Sequence, residues 1–462
     1  MTMGDNKYDL VVIGGGPGGY AAALRASALG ARVALVEKDR LGGTCLNRGC
    51  IPTKALIKSA SLWKSLEKMP FNGIRLDGAS FNWKGMMWRK NKIVRTLTSG
   101  IEGLMRKNGV HVVKGEGMLQ KDGSILVRGG NDESLGLSGK HVLLASGSVP
   151  ACPRISFPQG CAPLTTDEIL ECNDLPDSLA IIGGGVVGAE FASLFAALGV
   201  KVHVVEILPS ILGQSDEDVV LFVGTEFEKA GISVHAGTRI ESIEGKKGDL
   251  KLSLASGAVV FVEEILVAAS RKPLTEGLSE VGLELDEKGF IGVDDRLRTS
   301  RPGVYAVGDI TGKWQLAHVA SAQGVCCVEN IFGSERPMEY DAVPACIFTL
   351  PETASVGLTE RECMQRNIDY VKSMFPFSVN GKAVADGETS GFVKILAEKE
   401  SAKILGVHIA GAEASTLIHE ALLAIKLGCT ADVVHRIIHA HPSRGEAFGE
   451  AVDGLNGMAI HL

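Results

Sequence analysis

Two cysteines five residues apart, Cys45 and Cys50, stand in the stretch Gly42-Gly-Thr-Cys-Leu-Asn-Arg-Gly-Cys-Ile-Pro-Thr-Lys54. On a regular helix residues at that spacing have Cα atoms roughly 8–9 Å apart, whereas a disulfide needs less than about 7 Å. A Cys45–Cys50 bond would therefore require a turn tighter than helix, and Gly49 gives the backbone that freedom. Pro52 suits the first turn of the helix that follows through Ala55, Leu56 and Ile57. Such a pair could open and close with electrons; the competing reading is two packed free thiols in a loop. A second group lies near the end of the chain, in His439-Ala-His441-Pro442-Ser-Arg-Gly-Glu446. Thiol–disulfide exchange needs a thiolate, and a free thiol is mostly protonated at neutral pH. A histidine can take that proton, and a carboxylate on its other ring nitrogen fixes the tautomer. Alone, His441 reads as a structural histidine; beside Glu446 and in a chain carrying the 45/50 pair, it reads better as a base. His439, His435 and His318 keep the structural reading at least as strongly.

The elements that must position these groups are announced by glycines. The apolar strand Asp9 to Ile13 runs into Gly14-Gly-Gly16-Pro-Gly-Gly19, a small-residue helix to Leu29, and a second strand, Val33 to Glu37. Gly14, Gly16 and Gly19 fit G-x-G-x-x-G, which permits a tight turn, close approach of a pyrophosphate and close helix–sheet packing. The helix N-terminus attracts the negative charge, and Glu37 can accept hydrogen bonds from a ribose. The unit recurs: Leu179 to Ile182, then Gly183, Gly185 and Gly188, a helix to Leu198, and the strand Val202 to Glu206. Gly14 to Glu37 and Gly183 to Glu206 are both separations of 23 residues. This internal repeat means two dinucleotide-binding units. Ile207 and Leu208 follow Glu206 with no arginine to take a 2′-phosphate, which favours NAD over NADP at the second.

Between the repeats, Lys54–Met69 and Trp83–Lys107 read as helices, Val110–Val113 and Ser124–Val127 as short strands. Strands ending in polar turns are read at His141–Pro150 and Ile265–Pro273. Gly303 to Asp309 is a strand that delivers an acid on a glycine turn, either a ribityl-binding Asp309 or a plain turn residue. Beyond Asp341, Ala342–Glu352, Gly391–Leu396 and Ile404–Ala410 alternate as an antiparallel sheet does. Helices at Ala414–Leu427 and Val433–His439 follow. This region has no phosphate fingerprint and reads as an interface.

Composition sets the bounds. The chain has 462 residues, 45% hydrophobic and 22% charged, so several soluble domains with real cores are expected. A net charge of −7 with no run of basic residues argues against nucleic acid or an anionic membrane as the main partner. Ten cysteines are too sparse for a secreted disulfide framework. The polar start, Met1 to Tyr8, reads as lacking a targeting signal, and the apolar stretch from Leu179 to Val205 is broken by glycines and Glu190. A cytoplasmic protein is expected.

Taken together and in this order, the first fingerprint, the Cys45–Cys50 motif, the second fingerprint, Gly308-Asp309 and His439-x-His441-Pro442 resemble the flavin-dependent pyridine-nucleotide disulfide oxidoreductases over nearly the whole chain. The resemblance implies an α/β fold with two Rossmann-like domains, for FAD and NAD, and a C-terminal α+β dimerisation domain. Its boundaries would be 1–150 for FAD with the redox disulfide, 151–272 for NAD, 273–341 returning to the FAD domain, and 342–462 for dimerisation. It implies that Cys45 is the outer thiol that exchanges with substrate and Cys50 the one facing the flavin. Lys54, paired with Glu190, would lie beside the reactive edge of the isoalloxazine. Asp309 would hold the ribityl chain, with Ala317 along the flavin, beside Gly14, Gly16, Gly19 and Glu37 for FAD and Gly183, Gly185, Gly188 and Glu206 for NAD. His441 would be the base and Glu446 its orienting carboxylate, reaching the site from the other subunit of a homodimer. No metal is implied. Within the family, the motifs most resemble members that oxidise protein-bound dihydrolipoamide with NAD, partnered by a lipoylated acyltransferase or the glycine cleavage carrier protein. Glutathione-reductase-like members and a non-catalytic flavoprotein partner are the alternatives. Ser146, Ser270, Ser443 and the pair Arg444-Gly445 depart from the family pattern.

Overall fold

The computed structural model describes residues 7–130, 133–153 and 155–462. Met1 to Asn6, most of the N-terminal stretch read above, lie outside the described residues. Lys7–Ile13 is the centre of a seven-stranded sheet: Val33–Glu37 and then His111–Lys114 pair on one side, and Ser134–Leu144 on the other. The strands Lys7–Ile13 and Val33–Glu37 are parallel, with Ile13 opposite Val36. A four-stranded parallel sheet repeats the arrangement around Ser178–Ile182 and Lys201–Val205, with Ile182 opposite Val205. The repeat seen in the sequence is thus also a repeat in register: each glycine turn leaves the sheet one residue before its matching acid.

The first helix, Pro17–Ala28, is built of small residues because another helix lies directly on it. Ala22, Ala23 and Ala26 are fully buried, and a Cβ added to Gly324, in the helix Ala317–Phe332, would fall 2.3 Å from the Gly18 carbonyl oxygen. The Trp83–Lys107 helix has the expected span, with Asn82 accepting from the Gly85 amide as its N-cap. The helix expected from Lys54 already begins at Cys50 and ends at Ser65, followed by a 3-10 turn from Leu66 that contains Pro70.

The two polar strand endings find each other. Ser134–Leu144 stops, Gly147 turns with φ +72°, and Ser148–Ala151 pairs antiparallel with Ser270–Pro273. Each segment read as one strand in the sequence is therefore two strands in different sheets, and their second halves form one ribbon between the units.

The C-terminal segment is antiparallel as expected, but with five strands where the alternation predicts three, ordered Ala345–Ile347, Thr353–Gly357, Ile404–Gly411, Gly391–Glu398, Tyr370–Pro376, and only Ala345–Ile347 of the expected Ala342–Glu352 is a strand. Helix Ala431–His435 is shorter than the expected Val433–His439. Pro442 disfavours helical backbone at His441, so the chain runs extended into the histidine motif. One apolar core joins the regions: Leu56 and Trp83 pack with Leu179, Phe191 and Phe195 and also with Ile347 and Phe392. Lys394, only 1% exposed, donates to Asp216 and Asp218 at 2.6 and 2.5 Å and also to Glu360. It clamps the helix Glu217–Lys229 to the five-stranded sheet, and its ammonium fills the space between these three carboxylates. Among the described residues no helix is long and apolar enough to cross a membrane.

Candidate active site

Cys45 lies in the short helix Gly43–Arg48 and Cys50 is the first residue of the helix Cys50–Ser65. Between them Gly49 leaves helical backbone, at φ −143° and ψ −113°, so the path tightens where the sequence requires it. As free thiols the two side chains interact directly, each shifting the ionisation of the other. The Cys45 side chain, with Lys54 nearby, lowers the Cys50 thiol to about 7, while the Cys50 sulfur and burial raise Cys45. Cys50 is thus the thiol that ionises more readily, and its place at a helix N-terminus favours the same outcome.

Lys54, one turn along that helix, donates to both oxygens of Glu190 at 2.7 and 2.6 Å. Glu190 is 5% exposed and comes from the helix Val186–Ala197, and it also accepts from the Phe348 amide at 3.0 Å. The Lys54 ammonium lies 4.6 Å from the centre of the Phe348 ring. A buried carboxylate needs such partners, and through them Glu190 ties the cysteine helix to the C-terminal sheet. The Phe348 contact carries no motif and was not legible in the sequence.

The two glycine turns are alike in atomic detail. Gly14 and Gly183 have φ of +102° and +106°, and a Cβ at Gly19 or Gly188 would fall 1.8 or 1.9 Å from the carbonyl oxygen of Gly14 or Gly183. These four positions are fixed by the fold itself. The middle glycines are not: a Cβ at Gly185 would meet no atom within 4 Å, and one at Gly16 only the Gly43 Cα at 3.8 Å. Gly16 and Gly185 each precede a helix whose first amides have no side-chain cap. Open space facing uncapped helix amides fits a pyrophosphate at both places. The acids match as well. Glu37 accepts from the Gly15 and Asp39 amides, both at 2.7 Å, and Glu206 from the Gly184 and Leu208 amides at 2.6 and 2.8 Å. Burial raises the Glu37 carboxyl in spite of the Gly15 amide. A cavity of about 920 Å³ runs from Gly14 and Glu37 past Gly117 to Ser146 and Leu274, room for the nucleotide half of a dinucleotide. Gly185→Val should therefore leave the fold and bound FAD intact while raising the KM for NAD roughly 10- to 100-fold, the loss of one or two charge-assisted hydrogen bonds. Gly188→Ala, by contrast, should fail to fold; thermal unfolding and NAD titration of the two variants separate these outcomes.

Asp309 follows the strand Val304–Ala306, next to Ser148, whose hydroxyl donates to it at 2.5 Å. Arg271 Nε donates to that hydroxyl at 2.7 Å and lies 3.8 Å from the carboxylate. Arg271 joins Asp309 across the ribbon of the two strand endings, a contact the sequence showed only as two similar endings, Ser-Gly-Ser-Val-Pro150 and Ser-Arg-Lys-Pro273. Ala317 opens the helix Ala317–Phe332, again with no side-chain cap. Ser146, a departure from the family pattern, donates from its hydroxyl to the Leu274 carbonyl at 3.0 Å.

His441 Nδ1 and Glu446 Oε1 are 2.9 Å apart, and the other Glu446 oxygen accepts from the Ser443 amide at 2.7 Å. Burial opposes ionisation of Glu446, but the Ser443 amide and His441 outweigh it and its pKa is lowered. The carboxylate thus holds the proton on Nδ1 and leaves Nε2 as the free lone pair. The His441 side chain is 78% exposed, and among the described residues no hydrogen bond joins it to Cys45 or Cys50 of its own chain. The three histidines read as structural are engaged: His439 with Glu420 at 2.9 Å, His435 with Asp453 at 2.6 Å, His318 with the Pro344 carbonyl at 2.9 Å.

Comparison with known proteins identifies the family. Residues 8–324 match the family described as pyridine nucleotide-disulphide oxidoreductase, and residues 343–452 match the dimerisation domain of that family. The chain is 42% identical to a dihydrolipoyl dehydrogenase of Chlamydia pneumoniae over 458 residues, 99% of this chain and 98% of the relative. It is 38% identical to the dihydrolipoyl dehydrogenase of Bacillus subtilis over 99% of both chains. Among solved structures, LpdA of Mycobacterium tuberculosis superposes with a TM-score of 0.90 at 27% identity, covering 96% of this chain and 99% of that one.

Proposed function

The chain belongs to the pyridine nucleotide-disulphide oxidoreductase family, and from that premise we propose that it oxidises protein-bound dihydrolipoamide to lipoamide and reduces NAD to NADH. The observation that carries the reading is the Cys45–Cys50 pair, with Cys50 opening its helix and Lys54 one turn on, ion-paired to Glu190. Relatives at this level of identity and coverage named dihydrolipoyl dehydrogenase support the choice of substrate.

In the oxidised protein a substrate thiolate attacks the Cys45 sulfur, the Cys45–Cys50 bond breaks, and Cys50 leaves as a thiolate. The second substrate thiol then attacks its own sulfur of the mixed disulfide, closing the lipoyl ring and releasing Cys45. His441 Nε2 accepts the proton, oriented by Glu446 on Nδ1. The cysteines have now gained two electrons and the substrate has lost two. Bound FAD supplies the relay of that electron pair from the cysteines to NAD, which restores the disulfide. Lys54 and Glu190 would face the flavin, Asp309 and the Ala317 amide would hold FAD with Gly14, Gly16, Gly19 and Glu37, and Gly183, Gly185, Gly188 and Glu206 would hold NAD.

We read residues 1–150 as the FAD domain, 151–272 as the NAD domain, 273–341 as the return segment, and 342–462 as the dimerisation domain. The exposed His441 then belongs to the cysteines of the other subunit, so that each active site is complete only in a homodimer. The natural partner is a lipoylated acyltransferase or the glycine cleavage carrier protein, in the cytoplasm. Glu206 with no following arginine favours NAD, against a glutathione-reductase-like use of NADPH. The test is steady-state turnover of the purified yellow protein with dihydrolipoamide and NAD, against NADPH and glutathione disulfide. Preference for the first pair by at least about 100-fold is expected, a difference of some 3 kcal/mol in transition-state binding. Faster reduction of glutathione disulfide would overturn the reading.

A further inference from the structure

The loop that carries His441 contains a buried cation. The Arg444 side chain is 3% exposed, and one of its terminal nitrogens lies 3.0 Å from Asp386 Oδ2 and 3.2 Å from Glu388 Oε2, with the other 3.7 Å from Glu413 Oε1. Its Nε is buried without a partner among the described residues. Arg444 stands three residues after His441 and two before Glu446, so the guanidinium is anchored inside the turn that joins base to carboxylate. The same turn is held a second time. Asn380 Nδ2 donates to the Ser443 carbonyl at 3.1 Å, and Asn380 is also the N-cap of the short helix Gly381–Asp386. That helix therefore grips the loop at both ends: its cap holds Ser443 and its last residue, Asp386, holds Arg444. No part of the proton chemistry derived above uses these contacts.

We propose that Arg444 is a positioning residue for the His441–Glu446 pair, a charged pin that sets where the base stands. The inference rests on the reading of His441 as base, and it assigns a purpose to the Arg444-Gly445 departure. An arginine spans several carboxylates with a rigid planar fork, where lysine offers a single point charge. Removing it leaves Asp386, Glu388 and Glu413 facing one another unneutralised, apart from Lys382, which donates to Asp386 at 2.6 Å. The turn must then open. Small losses of registration at a reacting group are costly, and loosening of supporting contacts typically lowers activity 10- to 100-fold.

The test uses the dimeric holoenzyme carrying Arg444→Met, Arg444→Lys or Asp386→Asn. Dihydrolipoamide-linked kcat should fall roughly 10- to 100-fold in Arg444→Met, less in the other two. NADH-driven reduction of a dye, which needs neither His441 nor the substrate thiols, should stay within about twofold. Alkylation of the reduced cysteines against pH provides a readout independent of the substrate. The other charged groups facing the pair are His439 with Glu420, unchanged in all three variants; Arg444→Met also unmasks Asp386, Glu388 and Glu413, and Arg444→Lys, which keeps the charge, controls for that. A displaced base should shift the inflection of that profile, which loss of fold stability alone would not do. An unshifted profile together with unchanged kcat would overturn the proposal. If the wild-type protein does not oxidise dihydrolipoamide but Arg444→Met still shifts the profile, the substrate reading fails and the pin stands.

Discussion

Cys45→Ser should lower dihydrolipoamide-dependent NAD reduction by more than about 10⁴-fold, the scale on which loss of an attacking or attacked group acts. The reason is covalent. Without the Cys45 sulfur there is no disulfide for substrate to open and no mixed disulfide to form, and a serine hydroxyl offers neither. The fold should tolerate the change. Cys45 is only partly buried, and a hydroxyl can interact with the Cys50 sulfur as the thiol does. A cost of about 1 kcal/mol or less is expected. The variant should therefore purify with FAD bound, unfold within a few degrees of the wild type, and still pass electrons from NADH to a dye. It also isolates Cys50. Lys54 should still favour its thiolate, so Cys50 should ionise below an ordinary thiol even without the Cys45 sulfur. The alkylation rate at Cys50 should accordingly climb and level off at lower pH than that of an ordinary thiol. Retained turnover with dihydrolipoamide would remove Cys45 from the reaction.

The second large effect is His441→Gln, for which a loss of roughly 10³-fold in kcat is expected, within the range for removal of a general base. Glutamine can still hydrogen-bond to Glu446 and occupies a similar volume, so loop and dimer should persist. It cannot take a proton from a substrate thiol. The shape of the pH profile matters more than the size of the loss. With His441 present, turnover should depend weakly on pH once the imidazole is neutral. Without it, the rate should rise nearly tenfold per pH unit toward the ordinary thiol range, because solvent must then remove the proton. A parallel drop with an unchanged profile would make His441 a packing residue. Glu446→Gln should fall between wild type and His441→Gln, since the imidazole remains but its tautomer is no longer held.

Much of this site was legible because its chemistry demands particular residues at particular spacings. Gly49 between two cysteines, the paired glycine turns and the acids Glu37 and Glu206 are local requirements of the chain, and each takes the conformation its neighbours dictate. His441 and Glu446 are five residues apart and find each other within one turn. What the sequence concealed are contacts made at a distance by groups with no signature. The Phe348 amide reaches Glu190 from another sheet, and nothing about a phenylalanine announces a free N–H. Arg271 meets Asp309 only because Ser148–Ala151 and Ser270–Pro273 pair, although both segments read as ends of strands. Arg444 was visible as a departure, but its burial depends on three carboxylates brought by two other elements. The helix read at Val433–His439 spans Ala431–His435, and no glycine or proline at that end marks it in the sequence.

The matched anchoring of the two acids bears on attempts to change the coenzyme. Glu206 receives the amides of Gly184 and Leu208, so it is part of the turn's internal bonding as well as a place for a ribose to bind. Exchanging it for a small or basic residue to admit a 2′-phosphate would strand two N–H groups, one of them in the glycine turn itself. Redesign toward NADPH here is thus a problem of backbone hydration. A successful variant must bring in a new acceptor, from a side chain or an ordered water, before any arginine added nearby can be of use.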